Sequence, residues 1–165
     1  NDYYYLVTAS IYDSKYKGSD GVSRNTAFNG TFVINGLIGK EWVLGRDPAK
    51  KKKKQMIFLA DLKTTFAGGQ RFTPITAVQT GADNWVADSD DENAYAKQFK
   101  DYFRTDLRIA LKQNSKKISM EWAIDIQNLF NTQNVFSQQF NASTGEVEYS
   151  YQLGILVIPQ FKIIF

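Results

Sequence analysis

The chain has 165 residues, sets 20 Lys+Arg against 17 Asp+Glu, and contains neither His nor Cys. Disulfides, imidazole or thiolate metal centres and the commonest nucleophile–base pairs are therefore excluded, and a formal charge of +3 implies no dedicated nucleic-acid surface. No run approaches the ~18–20 uninterrupted apolar residues of a spanning helix. An aromatic content of 15% with a mean hydropathy of -0.37 leaves open a membrane barrel, in which only alternate strand residues meet lipid.

Strand signals run from one end of the chain to the other. Tyr3, Tyr5, Val7, Ala9 and Ile11 alternate with Tyr4, Thr8, Ser10 and Tyr12, a period of two that predicts a strand from Tyr3 to Asp13. A second is predicted from about Phe28 to Leu44, with Phe28, Gly30, Phe32, Ile34, Gly36, Ile38, Trp42 and Leu44 set against Asn29, Thr31, Asn35, Lys40 and Glu41. In the third, Met56, Phe58, Ala60, Leu62, Thr64 and Phe66 alternate with Asp61, Lys63 and Thr65, interrupted only at Ile57 and Leu59.

The clearest pattern lies between Tyr102 and Gln127. Phe103, Thr105, Leu107, Ile109 and Leu111 oppose Arg104, Asp106, Arg108 and Lys112; after a polar link at 114–117, Ile118, Met120, Trp122, Ile124 and Ile126 oppose Ser119, Glu121, Asp125 and Gln127. Phe99, Phe103, Leu107 and Leu111 also fall at helical spacing, but a helix would set Asp106 and Lys112 beside Ile109, so a hairpin of two strands is the better reading. The last strand is predicted from about Val147 to Phe165, carrying Tyr149, Tyr151 and Leu153 before Pro159, then Phe161, Ile163 and Phe165.

The expected fold is all-β, an antiparallel up-and-down meander of about six long strands. Links at 14–24, 69–97 and 131–146 are long and rich in Gly, Asn, Asp and Ser, whereas those at 45–54 and 114–117 are short and basic. In a meander alternate links share an end, so the long loops lie together at one end and the short turns at the other. That asymmetry is the signature of an outer-membrane barrel with long extracellular loops and short periplasmic turns. Trp42, Trp122, Tyr3, Tyr5, Tyr149, Tyr151 and Phe165 fall toward strand ends, where an aromatic girdle sits, and full charges within strands suit a wet lumen. Six strands are fewer than the ~8 that close the smallest barrels, and the chain starts Asn1-Asp2 with no initiator Met. The expectation is a part of a large transmembrane β-barrel. The competing reading is a soluble antiparallel β-sheet binding module that buries the same apolar faces.

Particular residues sharpen this. Tyr102-Phe103-Arg104-Thr105-Asp106-Leu107-Arg108-Ile109, then Glu121 to Asn131 (EWAIDIQNLFN) with Asn134-Val135-Phe136, and the closing Ile158-Pro159-Gln160-Phe161-Lys162-Ile163-Ile164-Phe165 resemble the C-terminal barrel strands of TonB-dependent outer-membrane receptors, the Bacteroidetes type in particular. Gly68-Gly69-Gln70-Arg71-Phe72-Thr73-Pro74-Ile75 and the opening 2–13 are similar to that family as well. The resemblance implies that residues 1–165 are the C-terminal portion of a roughly 22-strand plugged barrel in the cell outer membrane, without its plug domain and earlier strands. Implied partners are outer-membrane lipid, the remaining strands and plug, the TonB protein through the N-terminal part, and the outer-membrane assembly machinery. The implied function is nutrient uptake, with no enzymatic activity, cofactor or metal in this portion and no nucleic-acid partner.

The terminal strand, with Phe161, Ile163 and Phe165, resembles the signal read by the assembly machinery. Arg71, Trp85 and Tyr95 share the longest loop and are the ligand-contact candidates. Asp88-Ser89-Asp90-Asp91-Glu92 offers oxygen ligands but lacks the Gly and spaced bidentate acid of a calcium loop, and reads as a solvated acidic loop. The five lysines at 50–54 read as a solvated turn. Asp106 and Asp125 lie on polar faces of paired strands beside Arg104 and Arg108, which makes ion pairs the expected use rather than a catalytic carboxylate pair.

Overall fold

The computed structural model describes residues 2–44, 55–81 and 84–165. Fourteen strands occur among them: β1 (Asp2–Ile11), β2 (Lys15–Lys17), β3 (Ser23–Asn25), β4 (Phe32–Leu44), β5 (Gln55–Ala67), β6 (Arg71–Phe72), β7 (Ile75–Gly81), β8 (Asn84–Ser89), β9 (Lys97–Gln98), β10 (Tyr102–Asn114), β11 (Ser119–Gln127), β12 (Val135–Asn141), β13 (Glu146–Tyr151) and β14 (Leu156–Ile164). A single 3-10 turn, Asp91–Asn93, precedes β9, and no α-helix occurs among the described residues. Six strands form one sheet in the order β1-β4-β5-β10-β11-β14, with every neighbour antiparallel. That is the expected meander, since each strand pairs with the next long strand along the chain.

Register fixes the two faces. Reading across the sheet, Tyr5, Ile38, Leu62, Leu107, Ile126 and Val157 stand opposite one another in a single row. Trp42, Phe58, Leu111, Trp122 and Phe161 form another row toward the short-turn end, and Ala9, Ile34, Phe66 and Phe103 one toward the long-loop end. These rows share one face. Its aromatics touch across strands, with ring centroids 5.4 Å apart for Trp42–Phe58, 5.5 Å for Trp122–Phe161 and 5.2 Å for Phe32–Phe66. The other face carries Asp61, Lys63, Arg104, Asp106, Arg108, Glu121, Asp125 and Lys162, because side chains alternate along each strand.

The sheet has no apolar core. Ala110 and Ala123 are the only buried apolar residues among those described, and they lie on the charged face between longer ion-paired side chains. Tyr5 at 81%, Val7 at 70% and Ile38 at 55% relative exposure lie bare on the aromatic face, and Ile124, Val157 and Phe161 are exposed too. Burying an aliphatic or aromatic side chain is worth ~1.5–3 kcal/mol, so this face forgoes most of what stabilises a water-soluble sheet.

Long links at 12–31, 68–101 and 128–155 leave one end of the sheet, and 115–118 turns at the other, where Ser115 N–H donates to the Ile118 carbonyl at 2.9 Å. The predicted short link at 45–54, with its five lysines, lies outside the described residues. The long links fold into antiparallel pairs of their own: β2 with β3, β6 with β9, β7 with β8 and β12 with β13.

Four expectations are corrected. The strand predicted over Val147–Phe165 is two: β13 pairs with β12 in a loop hairpin and only β14 joins the sheet. The break falls at Gly154 and Ile155, where Asn131 Oδ1 packs against the glycine and accepts from Ile155 N–H at 3.3 Å. Tyr149 and Tyr151 therefore leave the girdle for the loop end. The strand predicted from Phe28 starts at Phe32, because Thr31 has φ 73 and Gly30 passes so close to Gly68 that a Cβ would lie 2.6 Å from the Gly68 carbonyl oxygen. Lys40, expected on the polar face, stands on the aromatic one, opposite Tyr3 and Ala60.

Candidate functional site at the long-loop end of the polar face

A polar row crosses all six strands of the sheet, with polar side chains from five of them. Tyr4 of β1 reaches over Gly39 of β4, where a Cβ would collide with its ring, and donates its hydroxyl to Asp61 of β5. Arg108 of β10 stands opposite Asp61 and turns the other way, donating from Nη1 to Asp125 (2.8 and 2.9 Å) and from Nη2 to Glu121 (2.7 Å) on β11. The same Nη1 reaches Gln160 Oε1 of β14 at 3.1 Å. One guanidinium thus joins three strands through its planar fork of donors. Arg104 pairs with Asp106 at 2.6 Å on β10 itself. Asp106 and Asp125 are thus each held by a guanidinium, the use expected of them.

Above this row the D-x-Q-N-L-F-N-x-x-N stretch turns the chain out of the sheet. Asn128, with φ 53 and only 3% exposed, donates from its backbone N–H to Asp106 Oδ1 at 2.9 Å. Its side chain accepts from Thr132 N–H at 2.9 Å and donates to the carbonyls of Thr132 and Leu153 at 3.0 and 3.2 Å. Asn tolerates the left-handed backbone better than most side chains, and here it also spans two loop segments. Asn134 then substitutes for a missing strand neighbour: Oδ1 accepts from Phe103 N–H at 3.0 Å and Nδ2 donates to the Phe103 carbonyl at 2.9 Å. Its own carbonyl accepts from Gln152 N–H at 2.9 Å, which ties the β12–β13 hairpin to the edge of β10.

This junction encloses a cavity of about 510 Å³ lined by Arg104, Gln127, Asn134, Phe136, Tyr151 and Gln152 among others. Its size is that of a small-molecule site, and its lining combines one guanidinium, two rings and carboxamides. Sequence reasoning missed it because Tyr151 and Gln152 were assigned to a sheet strand, and Asn128 and Asn134 were recognised only as a motif.

The three loop residues expected to contact ligand are placed apart from this cavity. Arg71 is half-buried and clamps loops, donating from Nε to the Asn29 carbonyl at 2.9 Å and from Nη1 to the Ala96 carbonyl at 3.4 Å. Tyr95 has φ 57, donates its N–H to Thr73 Oγ1 at 3.2 Å and meets Tyr16 edge-on at 6.4 Å. Trp85, on β8, packs its ring against Gly145 at the tip of the β12–β13 hairpin, where a Cβ would collide with it. Arg71 and Tyr95 thus meet at the 94–96 segment, and Trp85 serves a different loop contact.

In the acidic run, Asp90 caps the 3-10 turn, accepting from Asn93 N–H at 3.1 Å. Among the described residues no group of three or more acidic side chains converges to hold a metal ion. Two loop carboxylates are held below the usual range: Asp13 by hydrogen bonds from Lys15 and Asn29, and Asp20 by the Val22 N–H and then Arg24. At the other extreme of the chain, Phe161 and Ile163 stand on the aromatic face of β14 beside Trp122 and Met120, and Phe165 is 92% exposed just past the strand.

Comparison with family models, curated proteins and solved structures returns no match.

Proposed function

We propose that the chain is the C-terminal portion of a TonB-dependent outer-membrane nutrient-uptake receptor, supplying lipid-facing barrel wall and extracellular loops. The observation that carries this reading is the uncovered apolar face, continuous over all six strands and bounded by aromatic rows. From the Trp42 row to the Ile34 row is eight residues, ~27 Å along a strand or ~20 Å across a bilayer at ~40° tilt, close to the ~25 Å apolar band of outer-membrane barrels. A shallow groove of about 510 Å³ on this face, lined by Phe58, Ile109, Trp122, Ile124, Pro159 and Phe161, suits an acyl chain.

In this reading the charged face looks into the lumen, where water and ion pairs are at ease. The links at 12–31, 68–101 and 128–155 lie outside the cell, and the cavity beside Arg104 opens toward incoming ligand. Both outer edges of the sheet, at β1 and β14, are unpaired among the described residues, and an open edge of this length calls for a further strand of the barrel. The terminal Phe161, Ile163 and Phe165 present the assembly signal.

The test is behaviour without detergent. The chain, refolded from denaturant, forms strand structure in lipid vesicles or micelles and aggregates in plain buffer. A monodisperse folded monomer in buffer alone refutes the proposal and favours the soluble binding module.

A further inference from the structure

We propose that Lys40, with Tyr3 and Trp42, binds the headgroup phosphate of an anionic phospholipid in the leaflet at the short-turn end of the sheet. This rests on the lipid-facing reading above and adds a site to it. Across the aromatic face of all six strands, Lys40 is the one charged side chain among the described residues, and no carboxylate shares that face. Lys40 makes no ion pair with a described residue. A cation on a lipid-facing surface with no counter-ion among the described residues calls for one from the membrane.

The geometry supplies the rest of an anion site. The Lys40 ammonium donates to the Tyr3 hydroxyl and lies 4.0 Å from the Tyr3 ring centroid and 5.2 Å from that of Trp42. An ammonium carries three N–H donors, so two remain; the Tyr3 hydroxyl, accepting from Lys40, still has its own proton to give. The Trp42 indole N–H has no partner among the described residues. Donors from three side chains on two adjacent strands therefore gather at the level of the Trp42–Phe58 row, where a headgroup meets the hydrocarbon. The Lys40 stem lies along apolar surface and carries its charge toward that level, as long basic side chains do at membrane boundaries. With no carboxylate on the face, the ammonium group of a zwitterionic headgroup finds no partner, which selects phosphatidylglycerol-like lipids. Flanking Tyr5 and Ile38 accommodate an acyl chain, which a free phosphate lacks.

The chain folded in micelles is offered equal phosphatidylglycerol and phosphatidylcholine, and retained lipid is counted by native mass spectrometry. Wild type retains phosphatidylglycerol preferentially. Lys40→Gln lowers that retention about fivefold, the effect of one basic group near a membrane surface, and leaves phosphatidylcholine unchanged. Lys40→Arg restores it, Trp42→Phe lowers it about twofold, and Lys63→Gln on the opposite face changes nothing. Inorganic phosphate added in excess does not displace the lipid. Equal retention of the two lipids by wild type, unchanged retention in both Lys40→Gln and Trp42→Phe, or displacement by inorganic phosphate overturns the site while leaving the receptor reading intact. A chain that stays folded without detergent overturns both.

Discussion

Asn134→Ala removes the clamp between the loop end and the sheet. Both atoms of the carboxamide engage the backbone of Phe103, at 3.0 and 2.9 Å, and the residue is 6% exposed. Each neutral hydrogen bond contributes ~1 kcal/mol net, and a buried donor or acceptor left without a partner costs ~1–3 kcal/mol. Water entering the space vacated by the side chain recovers part of this, so the loss is about 2–4 kcal/mol. Asn134→Asp is the sharper probe. It keeps the shape and one acceptor, but once ionised it points a second acceptor at the Phe103 carbonyl, so it destabilises at least as much as alanine at neutral pH. Urea unfolding in micelles, followed by tryptophan fluorescence, reads both variants. If Asn134→Ala stays within about 0.5 kcal/mol of wild type, or Asn134→Asp is the milder of the two, the carboxamide is not acting as a strand surrogate.

Neighbouring positions of β4 test the two faces. Ile38→Arg, in the middle of the aromatic face, costs ~2–4 kcal/mol of folding free energy in a bilayer, whereas Leu37→Arg on the opposite face costs under about 1 kcal/mol by the same titration. The carboxylates of Asp13 and Asp20 have folded pKa values below the ordinary 3.8. Their loop ties are therefore complete above pH 3.8 and are lost as pH falls through the lower folded values; the protection of the Val22 amide, bonded to Asp20 at 3.0 Å, relative to its intrinsic exchange rate at each pH, falls on that descent while that of β10 amides holds. Removing Phe165 from the full-length protein lowers the amount of assembled barrel, scored by heat-modifiable migration, with no change in the fold of the sheet; unchanged assembly counts against the signal role.

Most of the sheet was legible because a period of two needs no tertiary information. Phe103 to Lys112 and Ser119 to Ile126 could be assigned to faces residue by residue, and the register kept those assignments, while Ile118, read as the first apolar residue of the second strand, falls in the turn. Lys40 broke the rule. Its charge placed it with Glu41, yet adjacent strand residues cannot share a face, and the parity running from Ile38 to Trp42 puts the lysine among the aromatics. The same parity hid the break near Gly154: Tyr149, Tyr151 and Leu153 are in phase with Val157, Pro159 and Phe161, so two strands in different sheets read as one. At that interruption the chain is held by Asn128, Asn131 and Asn134, which bond Leu153, Ile155 and Gln152 from another part of the chain. The loop cavity was invisible for a related reason. Its walls come from β10, β11 and the β12–β13 hairpin, brought together by Asn128 and Asn134, and no local pattern announces a carboxamide that stands in for a strand.

Glycine spacing carried more than it showed. Gly39 marks where Tyr4 crosses to Asp61, and Gly30 with Gly68 marks where two long links touch backbone to backbone. At Gly39 a side chain would collide with the Tyr4 ring and Asp61, and at Gly30 or Gly68 with the facing backbone carbonyl, so the polar row and the loop junction both depend on positions without a Cβ.

Site-directed spin labelling along β4 tests the central claim most directly. Nitroxides placed singly from position 33 to 39 in the vesicle-reconstituted chain are compared for accessibility to oxygen, which concentrates in hydrocarbon, and to a water-soluble nickel chelate. Positions 34, 36 and 38 should favour oxygen and 33, 35, 37 and 39 the chelate, in strict alternation. Uniform access of the chelate to both sets, or protection of 34, 36 and 38 from both reagents, contradicts a lipid-facing sheet.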